Sequence, residues 1–314
     1  MLLNINRKQL LYDLMTTKKD HPFKNTQMPL TQRIAFSGIR LSFKVLGIIS
    51  PSLAGRLALR LFMTPTRFRT PRKEKVLRES ATLKFITVRD RKIAVRTWGD
   101  ENAPTVLLSH GWGGRCTQFH AFIPPLLEAG YRIVGFDVPA HGDSEGKRTN
   151  MMDVASVISE ITKDEGPIEA IIGHSFGTGT ALLSIDKYQI ETKKIILIAC
   201  FSDVIWITDL FGEAFDLRKS TLEAMRKIAL KEFKHTYGIQ WTWQDISPLE
   251  TIKRFKGELL FIHDKNDHEV PYEQGKRLQN VAPHAQVMTT SGYGHRKILI
   301  YKKVVETTLE FIKS

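Results

Sequence analysis

Five short runs of consecutive apolar residues constrain this chain more than anything else in it: Val106-Leu-Leu108, Ile133-Val134, Ala170-Ile-Ile172, Ile195-Ile-Leu-Ile198 and Leu259-Leu-Phe-Ile262. A strand with one wet face alternates polar and apolar residues, so an unbroken run needs cover on both faces. Each run is followed by a turn and a helical stretch, the order expected of a mostly parallel sheet with helices on either side. Leu83 to Val88 and Ile93 to Trp98 read as an antiparallel pair across a polar turn, Arg89 to Lys92, and Gln286 to Thr290 reads as the last strand. The alternation breaks once, between about Phe201 and Lys256. A helical insertion there carries Trp206, Phe211, Phe215, Trp241 and Trp243, with a capping-box pattern from Ser220 to Glu223.

The formal charge of +13 on 314 residues suggests a nucleic-acid partner until its distribution is read. Residues 1–90 hold 18 Lys and Arg against 5 Asp and Glu, whereas the remaining residues hold 28 of each. The basicity belongs to one segment. Within it, helices are expected from about Thr31 to Ile49 and again after Ser50-Pro51, with Ser as cap and Pro in the first helical position. Arg33, Ser37, Arg40 and Lys44 make a narrow polar stripe on the first, and aliphatic and Phe side chains cover the rest of it. Ile34 to Met63 is long enough to span a bilayer, but Arg40, Lys44, Arg56 and Arg60 argue against crossing. Two placements remain: packing on the body with Arg and Lys turned outward, or peripheral contact of residues 31–63 with an anionic membrane face. Nucleic acid is disfavoured, because these cations sit in aliphatic surface without stacking aromatics. After a basic linker, Thr64 to Arg78, the division expected is an N-terminal helical extension over residues 1–80 and a second domain over residues 81–314.

Asn4, Arg7, Lys8 and Asp13 interrupt any secretory leader at the start. Two cysteines, Cys116 and Cys200, make no disulfide framework and read as core thiols, so the expected compartment is reducing and cytoplasmic, with the inner membrane face as the peripheral variant.

The chemistry concentrates in Ala170-Ile-Ile-Gly-His-Ser-Phe-Gly-Thr-Gly179: a buried strand, Gly173-x-Ser175-x-Gly177, then a helical run. A serine on a strained strand-to-helix turn needs small residues two positions either side, where larger ones would meet neighbouring backbone. His110-Gly-Trp-Gly-Gly114 follows the strand at Val106, where the Trp112 N–H could join that of Phe176 in facing a developing oxyanion. Asp267 lies past the strand at Leu259, and His295 lies in the loop Ser291-Gly-Tyr-Gly-His295. The order Ser, Asp, His suits loops that converge at one edge of a sheet. His110, His141 and His174 read as loop-bracing groups, and Arg115 as a substrate-carboxylate binder or a solvated side chain. The run His263-Asp-Lys-Asn-Asp-His268 is a poor metal site, since Glu269 stands where a calcium loop needs glycine.

On these motifs, together with Asp137-Val-Pro-Ala-His-Gly-Asp-Ser144 and Asp267-His-Glu-Val-Pro271, residues 81–314 resemble the α/β-hydrolase superfamily. The resemblance implies an α/β-hydrolase fold: a mostly parallel eight-stranded sheet flanked by helices, with a helical cap inserted after the sixth strand, about residues 201–256. It implies Ser175 as nucleophile, His295 as base, Asp267 as the acid that orients it, and Trp112 and Phe176 as oxyanion donors, with no cofactor and no metal. Asp203 occupies the other place from which some members supply the acid, and Asp264 is near. Serine at the elbow disfavours dehalogenase and epoxide hydrolase chemistry, which uses Asp there. Ala140-His141 stands where many relatives have glycine. The activity expected is cleavage of a small carboxylic ester with an apolar or aromatic acyl group. Thioester hydrolysis, acyl transfer with the same triad, and a non-catalytic lipid-binding scaffold are the other readings.

Overall fold

The computed structural model describes residues 30–238 and 240–314. The chain begins with helices α1 (Leu30–Ile49), α2 (Pro51–Phe62) and α3 (Arg72–Glu79), followed by strands β1 (Thr82–Val88), β2 (Arg91–Trp98) and β3 (Thr105–Ser109). After a 3-10 turn at Cys116–Phe119 come α4 (Ile123–Glu128), β4 (Arg132–Phe136), α5 (Met151–Glu165), β5 (Ile168–His174), α6 (Phe176–Tyr188) and β6 (Thr192–Ile198). The insertion supplies α7 (Val204–Phe215) and α8 (Lys219–Tyr237). The remainder is α9 (Pro248–Thr251), β7 (Glu258–Asp264), α10 (Tyr272–Val281), β8 (Gln286–Thr290), α11 (Gly294–Lys297) and α12 (Lys302–Lys313). Two compact units result: one from the described residues up to Thr66 with Val204–Asp245, the other from Arg67–Asp203 with Ile246–Ser314.

The second unit holds one eight-stranded sheet in the order β1-β2-β4-β3-β5-β6-β7-β8. Only β2 runs against its neighbours; every pairing from β4 to β8 is parallel. The apolar runs are continuous because alternate side chains feed two cores. Val106, Leu108, Ile196 and Ile198 enter the layer beneath α4 and α12, whereas Leu107 and Ile171 meet α5, and Ile195 and Leu197 meet α10. The first hairpin turns more tightly than its sequence suggests: Val88 pairs with Arg91, and Arg89 and Asp90 carry φ of 50° and 59°, the double left-handed turn that matches strand twist. Part of the linker is helical. Glu74 of α3 is buried, accepting from Arg115 Nη1 at 3.0 Å and Thr117 Oγ1 at 2.8 Å.

The first unit is entirely helical in its described elements, and small residues set its closest approach: a Cβ on Gly55 of α2 would lie 2.8 Å from the Met225 nitrogen of α8. Ser50 caps α2 by accepting from Leu53 N–H at 3.3 Å, and Pro51 is its first residue. The capping-box reading fails, because α8 begins at Lys219 after Arg218 with no side-chain cap, leaving Ser220 inside its first turn. The expected outward turn of the α1 cations holds for Lys44, which is exposed, and not for Arg40, which is half-buried. Phe36 and Phe43 are buried on the edge of the Phe215 ring at 5.4 and 6.0 Å, Arg40 Nε donates to the Ala214 carbonyl at 2.9 Å, and Lys44 pairs with Asp216 at 2.8 Å. Ile34, Leu41, Val45, Ile48 and Ile49 are exposed as well; the Arg33 side chain lies outside the described residues. No helix among the described residues is long and apolar enough to cross a membrane.

Candidate active site

The elbow is built as its spacing requires. Ser175 sits between β5 and α6 with φ of 52° and ψ of −118°, a conformation that costs a non-glycine residue about 1–3 kcal/mol. The flanking glycines are steric necessities. A Cβ on Gly173 would lie 2.9 Å from Thr178 Cα, and one on Gly177 would be driven into the Ser109 carbonyl oxygen.

Asp267 and His295 are joined directly, with Nδ1–H of His295 donating to Asp267 Oδ2 at 2.7 Å. Asp267 Oδ1 meanwhile accepts the backbone N–H groups of Glu269 at 2.9 Å and Val270 at 2.8 Å, which fixes the carboxylate plane. The proton on Nδ1 leaves a lone pair on Nε2, the tautomer a general base needs. Burial, the strongest single influence on His295, lowers its pKa; the Asp267 and Glu269 carboxylates together outweigh it, leaving the group above the ordinary histidine value.

Ser175 reaches this pair through its neighbour. His174 Nε2 donates to the His295 carbonyl at 2.8 Å, and the two imidazole centroids are 4.7 Å apart. Gln118 Nε2 donates to His174 Nδ1 at 3.0 Å. Burial holds His174 well below the ordinary histidine value, so its ring is neutral with a single N–H. Among the described residues, Ser175 Oγ hydrogen-bonds to neither Asp267 nor His295.

The other acids have other work. Asp203 accepts from Ser247 Oγ at 3.2 Å. Asp264 Oδ2 accepts from Thr290 Oγ1 at 2.6 Å and from the Tyr293 N–H at 3.1 Å, bracing the loop that carries His295. His263 donates to the Val270 carbonyl at 2.9 Å.

The loop at Trp112 lies against the elbow: a Cβ on Gly111 would be 3.2 Å from Ser175 Cβ. Two histidines brace it as their positions suggest. His141 Nε2 accepts the Gly113 N–H, and His110 Nε2 accepts the Val138 N–H, each at 2.9 Å. Burial lowers both, His141 to about 3. Asp137 ties the same loops together, taking the Cys116 N–H on Oδ1 and the Asp143 N–H on Oδ2, each at 2.9 Å. The Trp112 and Phe176 rings meet edge-on at 5.1 Å, and neither residue's N–H has an acceptor among the described residues.

Arg115 is neither a substrate binder nor a solvated side chain. It is buried, paired with Glu74, and donates to the Phe68 carbonyl at 3.1 Å. Cys116 and Cys200 are buried thiols, the latter pushed by burial up to about 12. Gln118, Glu74 and Arg67, which donates to the Gly142 carbonyl at 2.7 Å, are the contributors that sequence reading missed. No local pattern marks them, since each acts on a distant segment.

A sheet of this order, with a Gly-x-Ser-x-Gly turn after its fifth strand and an aspartate and a histidine after its seventh and eighth, defines an α/β-hydrolase fold. Comparison with known proteins agrees. The family model for the alpha/beta hydrolase fold matches residues 104–212. Protein ABHD12B of Homo sapiens is 23% identical over 228 residues, which is 67% of this chain and 60% of that protein. The Bifunctional esterase/perhydrolase DCH of Acinetobacter calcoaceticus is 23% identical over 261 residues, 67% of this chain and 92% of that protein. The solved esterase from Exiguobacterium antarcticum superposes with a TM-score of 0.56 at 22% identity, covering 74% of this chain and 100% of its own. The chain has the α/β-hydrolase fold, and residues 104–212 are similar to that family's sequence model. The match spans about 60% of the length of the human relative.

Proposed function

We propose that the chain is a serine hydrolase that cleaves a carboxylic ester through an acyl-enzyme. The observation that carries this reading is the Asp267–His295 hydrogen bond of 2.7 Å, held by His174 beside a strained Ser175. In the proposed sequence Ser175 Oγ attacks the ester carbonyl carbon and gives its proton to His295 Nε2. The carbonyl π electrons move to oxygen, and the N–H groups of Trp112 and Phe176 bind that oxyanion. As the C–O bond breaks, the alkoxide takes the proton from His295. Water then repeats the sequence on the acyl-serine and returns free Ser175 and a carboxylic acid. The Ser175–His295 bond forms when substrate binds, because catalytic hydrogen bonds tighten in the complex.

The preference for an apolar or aromatic acyl group rests on the aromatic composition of residues 201–256. A cytoplasmic location rests on the two unpaired cysteines, and peripheral membrane contact through residues 31–63 belongs to the same proposal. The test is labelling by a fluorophosphonate probe and turnover of 4-nitrophenyl esters of graded chain length. Wild type should label and turn over, and Ser175→Ala should do neither. An inert wild type would leave the scaffold reading standing; preferential turnover of the matching thioesters would move the activity to thioester hydrolysis.

A further inference from the structure

Exposed apolar side chains are ordinary when scattered and informative when gathered. Of the thirteen large exposed apolar residues among the described ones, seven fall between Ile34 and Leu57. Ile34, Leu41, Val45 and Ile48 are spaced 7, 4 and 3 apart, so they line one face of α1. Ile49, and Leu53 and Leu57 four apart on α2, are exposed as well. Ile48 and Ile49 are 68% and 73% exposed, beyond what a soluble helix shows at the residues it buries. Phe36, Phe43 and Gly47 take the inward positions.

The charges around this face select its partner. No Asp or Glu occurs between Asp20 and Glu74. Arg56 and Arg60 are exposed on α2 beside Leu53 and Leu57, and neither guanidinium forms an ion pair among the described residues. Lys44 is exposed at the edge of α1, shared with Asp216. A broad aliphatic face with cations beside it complements an anionic lipid surface, where aliphatic groups enter the acyl boundary and Arg stays at the headgroups.

We infer that the outward face of α1 and α2, from Ile34 to Leu57, lies in the interface of an anionic bilayer with Arg56 and Arg60 at its headgroups. This rests on the reading of residues 31–63 as a membrane contact and is independent of the triad. The occupant is lipid rather than a second copy, because two such faces brought together would set Arg56 and Arg60 against like charges.

The test uses the full-length protein with vesicles of phosphatidylglycerol and phosphatidylcholine, and with vesicles of phosphatidylcholine alone. Ile48→Cys is labelled with an environment-sensitive maleimide; Cys116 and Cys200 are buried and stay unlabelled. The emission should shift to the blue only when anionic vesicles are added. A probe already blue without vesicles at every protein concentration would show the face covered by the chain's own residues and overturn the inference. Emission that turns blue as protein concentration rises would identify a second copy and overturn it equally, as would no response to vesicles. In flotation, Arg56→Gln with Arg60→Gln should lower binding about thirtyfold, at about fivefold per cation. Leu41→Asp with Ile48→Asp should abolish binding; both sites are exposed, so folding is spared. Ser175→Ala should float as wild type does, so a failed esterase reading and a failed membrane reading give different results.

Discussion

Replacing Asp267 with asparagine keeps its size and removes one charge, and the structure dictates how the new side chain must lie. Oδ1 accepts two backbone N–H groups, from Glu269 and Val270. Only the amide oxygen of Asn can take that place, which turns the NH2 group toward His295. His295 Nδ1 must then become an acceptor, and the ring proton moves to Nε2, the atom that has to receive the Ser175 proton. A base in the wrong tautomer costs on the order of 10⁴ in kcat. Saturation kinetics on a 4-nitrophenyl ester should show that loss with KM little changed, and fluorophosphonate labelling should slow in parallel. Asp203→Asn keeps an acceptor for Ser247 Oγ and should stay close to wild type. An Asp267→Asn variant within tenfold of wild type would refute the reasoning, and a collapse in Asp203→Asn would transfer the acid role there.

Because carboxylates hold His295 above the ordinary value of about 6.5, the acid limb of kcat/KM should lie above that pH, rising as the ring loses its proton. Glu269→Gln removes one of those charges and should move the limb to lower pH; a limb that stays put contradicts the assignment. His174→Ala should lower kcat on the order of 10² by releasing the His295 loop, with KM nearly unchanged and partial recovery in His174→Gln. Loss of stability without loss of kcat would make His174 purely structural. Burial holds His110, His141 and His174 below the ordinary value, so the unfolded chain binds protons first as pH falls below about 6.5. For each such histidine, stability should then fall by about 1.4 kcal/mol per pH unit until its folded value is reached, about 3 for His141. Urea unfolding across that range checks it, and His141→Asn should show a shallower decline.

The parts of the fold that were legible are those whose cause is local. An unbroken apolar run such as Ile195 to Ile198 follows from burial on both faces, so the parallel strands and their order with helices could be read directly. The elbow was legible for the same reason: Gly173 and Gly177 are demanded by backbone a few residues away. What acts across the chain left no local trace. Arg115 and Glu74 lie 41 positions apart, and neither signals the other. Ala140 shows the limit from another side. Its φ of 67° explains why glycine is expected there, yet the sequence could not say that the turn persists with a Cβ in place.

The orientation of helix α1 was open in the sequence because periodicity counts apolar residues without regard to shape. An almost wholly apolar circumference has no unique inward face, and the polar stripe is a divided guide, since Ser37 and Lys44 are exposed and Arg40 is half-buried. Ring edges and flat backbone decided instead. Phe36 and Phe43 meet Phe215, and a Cβ on Gly47 would come within 2.7 Å of Thr221 Oγ1, leaving no room for a β-branched side chain. Arg40 can accept an inward position because a helix C-terminus presents free carbonyls such as that of Ala214. The aliphatics are left outside, where Ile48 and Ile49, about 70% exposed, each forgo about 1–2 kcal/mol of burial. Across seven such residues the sum rivals the net stability of a typical domain, about 5–15 kcal/mol. The proposed lipid contact would receive that surface, which is why the vesicle experiment bears on the fold of α1 as much as on its partner.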